Sequence, residues 1–153
     1  MTLPSKVRLV EVGPRDGLQN EKQLISTEIK VELIRRLVAT GLQTIEATAF
    51  VSHDRVPQMA DAARVMSLIQ PLPTVSYPVL VPNLRGFEAA LAAGAKQVSV
   101  FSAASETFSQ KNTQCSISES LARCQAVIGG GGNDRNLVPL RFATSIHRPH
   151  WLG

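Results

Sequence analysis

Two cysteines in 153 residues, Cys115 and Cys124, leave the chain without a thiol framework. They stand nine positions apart with no CxxC spacing, which argues against a small secreted domain stapled by disulfides and for reduced thiols. No uninterrupted apolar run approaches the ~20 residues of a membrane-spanning helix, so a soluble chain with no membrane partner is expected. The opening MTLPSK has neither the charged and apolar regions of a signal peptide nor an Arg-rich, Ser-rich presequence, and a cytoplasmic location follows as the expectation. Charge of one sign is also not concentrated. The net +4 comes from Lys and Arg dispersed along the chain, which argues against a nucleic-acid footprint. Residues 129–153 hold three arginines against one aspartate, so part of the surplus is local to that end.

What is present suits one domain with a real core: 44% of residues are hydrophobic and 18% charged. Short apolar segments alternate with amphipathic ones, the pattern of βα units around a parallel sheet. Four units can be counted. The first pairs a strand at residues 7–12 with a helix capped by Ser26, with Ile29, Leu33, Leu37 and Val38 inward and Gly41 at its end. The second pairs residues 44–48 with a helix opening at Pro57, with Met59, Ala62, Ala63, Met66 and Ile69 inward. The third pairs residues 76–80 with a helix capped by Asn83, burying Phe87 and Leu91 and ending at Gly94. The fourth follows residues 97–101 with a helix opened by a Ser116–Glu119 capping box, with Ile117, Leu121, Cys124 and Ile128 on one stripe. ATGLQTIE and AAGAKQVSV echo one another where a helix hands over to a strand. From Gly129 the pattern stops: GGGGND cannot hold a helix, and residues 129–153 are expected to be an irregular tail beside a domain at 1–128.

The long polar segments follow strands, where loops of such folds carry chemistry. Arg15 and Asp16 lie just past the first strand in a turn made by Gly13, Pro14 and Gly17. A carboxylate offers the hard oxygen that Mg²⁺ or Mn²⁺ prefers, and a guanidinium can stabilise a developing oxyanion. By itself the pair reads more readily as a turn with a capping Asp and a surface ion pair. Glu46 shifts the balance, because it sits among apolar residues in TIEATAF, where an unpartnered carboxylate is not expected.

The segments VRLVEVGPRDGLQNEK, TIEATAFVS, VPQM, YPVLVPNLRGFEAALAAGAK and FSAASETFSQKNTQCSISES, in this order, resemble 3-hydroxy-3-methylglutaryl-CoA lyase. The resemblance runs nearly without gaps from about Val7 to Ile128. It implies an α/β fold, the N-terminal part of a (β/α)8 TIM barrel with about four βα units. It also implies retro-Claisen cleavage of a small-molecule CoA thioester to acetyl-CoA and acetoacetate, in leucine breakdown and ketone-body formation. Asp16 would then be a ligand of a divalent metal, Mg²⁺ or Mn²⁺. Arg15 would stabilise the enolate, and Glu46 would hold the arginine. Gln19 would bind substrate, and Lys22 matches the same loop. The family's His-x-His and Asn ligands and its catalytic Cys have no counterpart here, so the chain is expected to be inactive alone. The alternatives are a noncatalytic association module, forming homo-oligomers through open sheet edges, and a Claisen condensing enzyme of the same superfamily. GLQNE and NTQCSISES favour the lyase over the latter.

The other chemical candidates are weaker. His147 and His150 in HRPH are separated by Pro149, which breaks the helix that presents such pairs. His53 reads as a loop residue, Cys115 as a packed or exposed thiol, and Cys124 as part of the buried helix stripe. GGGG lacks the GK[ST] of a phosphate loop.

Overall fold

Parallel pairing in chain order organises the molecule. A computed structural model describes residues 5–130 and the backbone of residues 141–145. Strands β1 (Thr48–Ala49), β2 (Val79–Leu80), β3 (Val98–Ala103) and β4 (Arg141–Ser145) lie side by side in that order, each parallel to the next. Thr48 faces Val79, Val79 faces Val98, and Ser99 faces Arg141. Extended backbone continues the ladder outside the named strands. Ile45 N–H donates to the Ser76 carbonyl at 3.0 Å, and Glu46 N–H donates to that of Glu11 at 2.8 Å. The crossovers are helical, as parallel neighbours require: α1 (Thr27–Ala39), α2 (Ala62–Leu68), α3 (Leu84–Ala92), then α4 (Glu106–Thr113) with α5 (Ile117–Gly130).

Local chemistry sets the ends of α1, α3 and α5 as expected, whereas α2, expected to open at Pro57, opens at Ala62, and Pro57–Met59 forms a separate 3-10 turn ahead of it. Ser26 accepts from Ile29 N–H and Asn83 from Gly86 N–H, while Gly41 and Gly94 take φ of 90° and 78° just past α1 and α3. At α5 the capping box is complete: Ser116 N–H donates to Glu119 Oε2 at 2.7 Å, and Glu119 N–H donates to Ser116 Oγ at 3.1 Å.

The inward faces match expectation in part and differ at single positions. In α1, Ile29 is 61% exposed, and Thr27, Lys30, Val31 and Ile34 are buried. Ala63 of α2 is exposed, whereas Val65 is buried. Leu91, Leu121 and Ile128 are exposed; Ala90, Ser120 and Val127 are buried in their helices, together with Cys124. Met59, Ala62, Phe87 and Cys124 are buried as expected, and Leu37, Val38, Met66 and Ile69 pack partly buried against the core, so the differences are confined to single positions at the stripe edges. A Cβ leans toward the helix N-terminus, which shifts the covered surface by about one position relative to the Cα and decides the residues at a stripe's edge. The expected strand at residues 7–12 is reduced to one bridge, Glu11 with Ile45, and Val7 and Leu9 are 78% and 70% exposed. Its other edge has no partner among the described residues. Helix α4 was not anticipated, since ETFSQKNT has no apolar stripe; Ser105 caps it by accepting from Phe108 N–H. Residues 141–145, expected irregular, are strand β4, while the rest of residues 131–153 lies outside the described residues.

Two apolar clusters back the sheet. Val31, Ile34, Ile45, Ala47 and Val65 join α1 and α2 to the sheet. Val79, Val81, Phe87, Ala90, Val98, Val100 and Val127 join α3 and α5 to it, and Met66 touches both clusters. Both cysteines are free and buried. Among the described residues no helix is long and apolar enough to cross a membrane.

Candidate active site

Glu11 begins the site by holding the turn that follows it. Its Oε1 accepts from Gly13 N–H at 2.6 Å, and a Cβ at Gly13 would stand 2.9 Å from that oxygen, so glycine leaves room for this contact. Residues Gly13–Gly17 then form one wide π-helical turn, with Asp16 N–H donating to the Val12 carbonyl at 2.6 Å and Pro14 buried beneath it. Wide turns of this kind recur where a backbone must present side chains to a site.

The turn brings Arg15, Asp16 and Glu46 together. Arg15 Nε donates to Glu46 Oε1 at 2.7 Å, and Arg15 Nη1 donates to Asp16 Oδ1 at 2.7 Å. Gln19 Nε2 donates to the same Asp16 oxygen at 3.0 Å, and Asn20 Nδ2 donates to the Asp16 carbonyl at 2.7 Å. The Arg15 and Glu46 side chains are 12% and 7% exposed, whereas Asp16 is 52% exposed. A buried pair therefore orients an accessible carboxylate. Two of the guanidinium's five N–H groups are used in these bonds, so donors remain for a ligand anion.

The structure brings Arg15, Asp16, Gln19 and Glu46 to one corner and leaves the weaker candidates among the described residues as they were expected. Lys22 and His53 are exposed, away from any tight network. Cys115 is buried with its sulfur 3.2 Å from Thr113 Oγ1, a packed thiol. Burial, and secondarily the neighbouring Cys115, push the Cys124 thiol up. His147 and His150 lie outside the described residues. A cleft of about 750 Å³ opens between α2 and α3, lined by Phe50, His53, Met59, Asn83, Arg85 and Ala89 among others; none of residues 11–20 reaches it. Sequence reasoning missed Glu11, Lys30, Gln58 and Asp61. The available signal was Gln58 itself, a polar residue between Pro57 and Met59 in the quoted VPQM.

Asp16 suits a hard divalent cation as a single ligand: it is accessible, and its Oδ2 makes none of these bonds. Among the described residues, no group of three His, Cys, Asp or Glu side chains surrounds a possible metal position.

The HMGL-like family model matches residues 6–130. The mitochondrial hydroxymethylglutaryl-CoA lyase of Macaca fascicularis is 61% identical over 127 residues, which are 83% of this chain and 39% of that protein. The cytoplasmic 3-hydroxy-3-methylglutaryl-CoA lyase of Mus musculus is 61% identical over 126 residues, 82% of this chain and 37% of that protein. The crystal structure of hydroxymethylglutaryl-CoA lyase from Pseudomonas aeruginosa superposes with a TM-score of 0.84 at 53% identity, covering 93% of this chain and 47% of that one. The chain thus spans less than half the length of the lyases it matches. The chain belongs to the HMGL-like family, and its parallel sheet with outer helices is a part of that family's TIM barrel.

Proposed function

We propose that this chain carries the Arg-Asp-Glu corner of a carbon-carbon lyase site for 3-hydroxy-3-methylglutaryl-CoA. The observation that carries the reading is the Arg15–Glu46 pair at 2.7 Å with Asp16 accessible beside it. Retro-Claisen cleavage removes the C3 hydroxyl proton and breaks the C2–C3 bond. The electron pair moves to the thioester oxygen of an acetyl enolate, which takes a proton at C2. Arg15 is placed to carry that negative charge with its remaining N–H groups. Glu46 fixes the guanidinium plane and neutralises it at rest. Gln19 orients Asp16 and faces the same ligand space. Asp16 would hold Mg²⁺ or Mn²⁺, and that ion supplies a positive centre for the substrate's oxygens.

Asp16 being the one ligand identified, further ligands must come from outside the described residues or from another subunit, and the chain by itself is expected to turn over weakly or not at all. The names of the relatives include both mitochondrial and cytoplasmic enzymes, so location does not separate the readings. The exposed Val7 and Leu9 on an unpaired extended segment favour association of copies as a second property. The test is acetoacetate release from the CoA thioester by the full chain with Mn²⁺, with thioester and Mn²⁺ binding measured alongside. Binding that Arg15→Met and Asp16→Asn abolish supports the reading. A chain that binds neither ligand overturns it.

A further inference from the structure

Residues 21–26 connect the Arg15–Asp16 turn to α1 without helix or strand, and although most of them are exposed, three of their backbone groups are bound by one buried side chain. Gln58, 3% exposed, supplies the partners. Its Oε1 accepts from Ile25 N–H at 2.8 Å, and its Nε2 donates to the Gln23 carbonyl at 2.8 Å and the Glu21 carbonyl at 3.3 Å. One acceptor and two donors on a single planar group is a set that only a primary amide offers; a carboxylate has no donor and an alkyl group has neither.

The post that presents this amide is itself anchored. The Gln58 backbone carbonyl accepts from Lys30 Nζ. Lys30, 4% exposed, pairs with Asp61 Oδ1 at 2.7 Å, and Asp61 Oδ2 accepts from the Thr27 hydroxyl at 2.7 Å. The first turn of α1 and the approach to α2 are thereby locked around Gln58.

The held segment is continuous with the site. Glu21 N–H donates to the Leu18 carbonyl at 3.0 Å, closing the short 3-10 turn Leu18–Asn20. From that turn, Gln19 and Asn20 bind the Asp16 side chain and carbonyl. We infer that Gln58 is a positioning residue for Arg15, Asp16 and Gln19, acting through the backbone of residues 21–25. This rests on the reading of Arg15 and Asp16 as the ligand-binding corner.

The test compares the full chain with Gln58→Leu and Gln58→Glu. Amide hydrogen exchange is followed across pH, and Mn²⁺ binding is followed by water proton relaxation at neutral pH. In Gln58→Leu, the amides of residues 16–25 exchange about tenfold faster while those of α3 and β3 keep their rates, and Mn²⁺ binds about tenfold more weakly. Gln58→Glu behaves the same way at neutral pH. Relative to the unaltered chain, its loop exchange recovers as the pH falls and the introduced carboxyl gains a proton, because the neutral acid again has a donor and an acceptor. A purely space-filling residue gives no such pH recovery. Unchanged loop exchange in Gln58→Leu overturns the inference, as does acceleration spread equally through β1 and α2, or a Gln58→Glu variant without pH dependence. Absence of Mn²⁺ binding by the unaltered chain overturns the metal reading of Asp16 instead, and the exchange data still decide the role of Gln58.

Discussion

Arg15 Nε and Glu46 Oε1 meet at 2.7 Å although 31 positions separate them in sequence, and both side chains are nearly covered. Breaking such a pair from one side leaves a desolvated charge without its partner, which costs more than the pair contributes. Glu46→Ala is expected to lower stability by about 3 kcal/mol in urea unfolding. The double variant Arg15→Met/Glu46→Leu recovers most of that loss while abolishing thioester binding. Full stability in Glu46→Ala would show that the pair is not desolvated.

Asp16 stands in contrast, with 52% of its side chain exposed. Asp16→Asn keeps the shape and is expected to change stability by less than about 0.5 kcal/mol. It removes the one hard anionic ligand of the turn, so titration with Mn²⁺ followed by electron paramagnetic resonance should show affinity reduced at least about tenfold. Equal affinity in the variant would place the ion elsewhere.

Lys30 is a buried cation whose partners are Asp61 and the Gln58 carbonyl. Lys30→Met retains the apolar stem and strands a carboxylate and a carbonyl, at about 3 kcal/mol. Denaturation midpoints of the two proteins measure this. A neutral effect would mean that water replaces the ammonium without loss.

At Gly86 an added Cβ would lie 2.5 Å from the Phe50 carbonyl oxygen and 2.9 Å from Pro82 Cδ. The oxygen is backbone, bound into the sheet connection, and cannot swing aside. Gly86→Ala should therefore destabilise by about 1–3 kcal/mol despite the better helix propensity of alanine. A thermal midpoint at or above that of the unaltered chain would contradict the close approach of α3 to the sheet.

The capping box predicts a pH dependence. The Ser116 N–H, and after it the Ser116 hydroxyl, hold the Glu119 carboxyl below its ordinary value. Because the folded-state pKa is the lower one, the stabilisation is fully present above the unfolded pKa and disappears as the pH falls through the folded value. Glu119→Gln should flatten that acidic part of the midpoint-against-pH curve relative to the unaltered chain. Parallel curves would exclude the box as its source.

The alternation of strands and helices, and the caps at Ser26, Asn83 and Ser116, are legible from sequence because each depends on residues within one turn of chain. The corner at Arg15, Asp16 and Glu46 is legible for a related reason. A carboxylate among apolar residues demands a buried partner, and an arginine after the preceding strand is the available one. What was not legible involves pairs that only folding brings together. A lysine in an amphipathic helix reads as solvated, yet Lys30 is buried and Ile29 exposed, because Asp61 and Gln58 come to meet the ammonium from another unit. Helix α4 escaped because it shows no apolar period: Ser105 caps it, Glu106 accepts the Ile117 N–H of α5, and its one large apolar contact, Phe108 edge-on to Phe101, is made across the fold.

The sequence by itself determined the class of unit and the caps at Ser26, Asn83 and Ser116, and singled out Arg15, Asp16 and Glu46 as the charged groups to be brought together, since periodicity, capping and residue chemistry act over short distances. Tertiary structure alone decided that Lys30 and not Ile29 faces inward from α1, and that Gln58 supplies hydrogen bonds to a loop more than thirty positions away. The physical reason is that burial of a polar group is settled by partners, and Asp61 for Lys30, the 21–25 backbone for Gln58 and Glu46 for Arg15 are neighbours in space only.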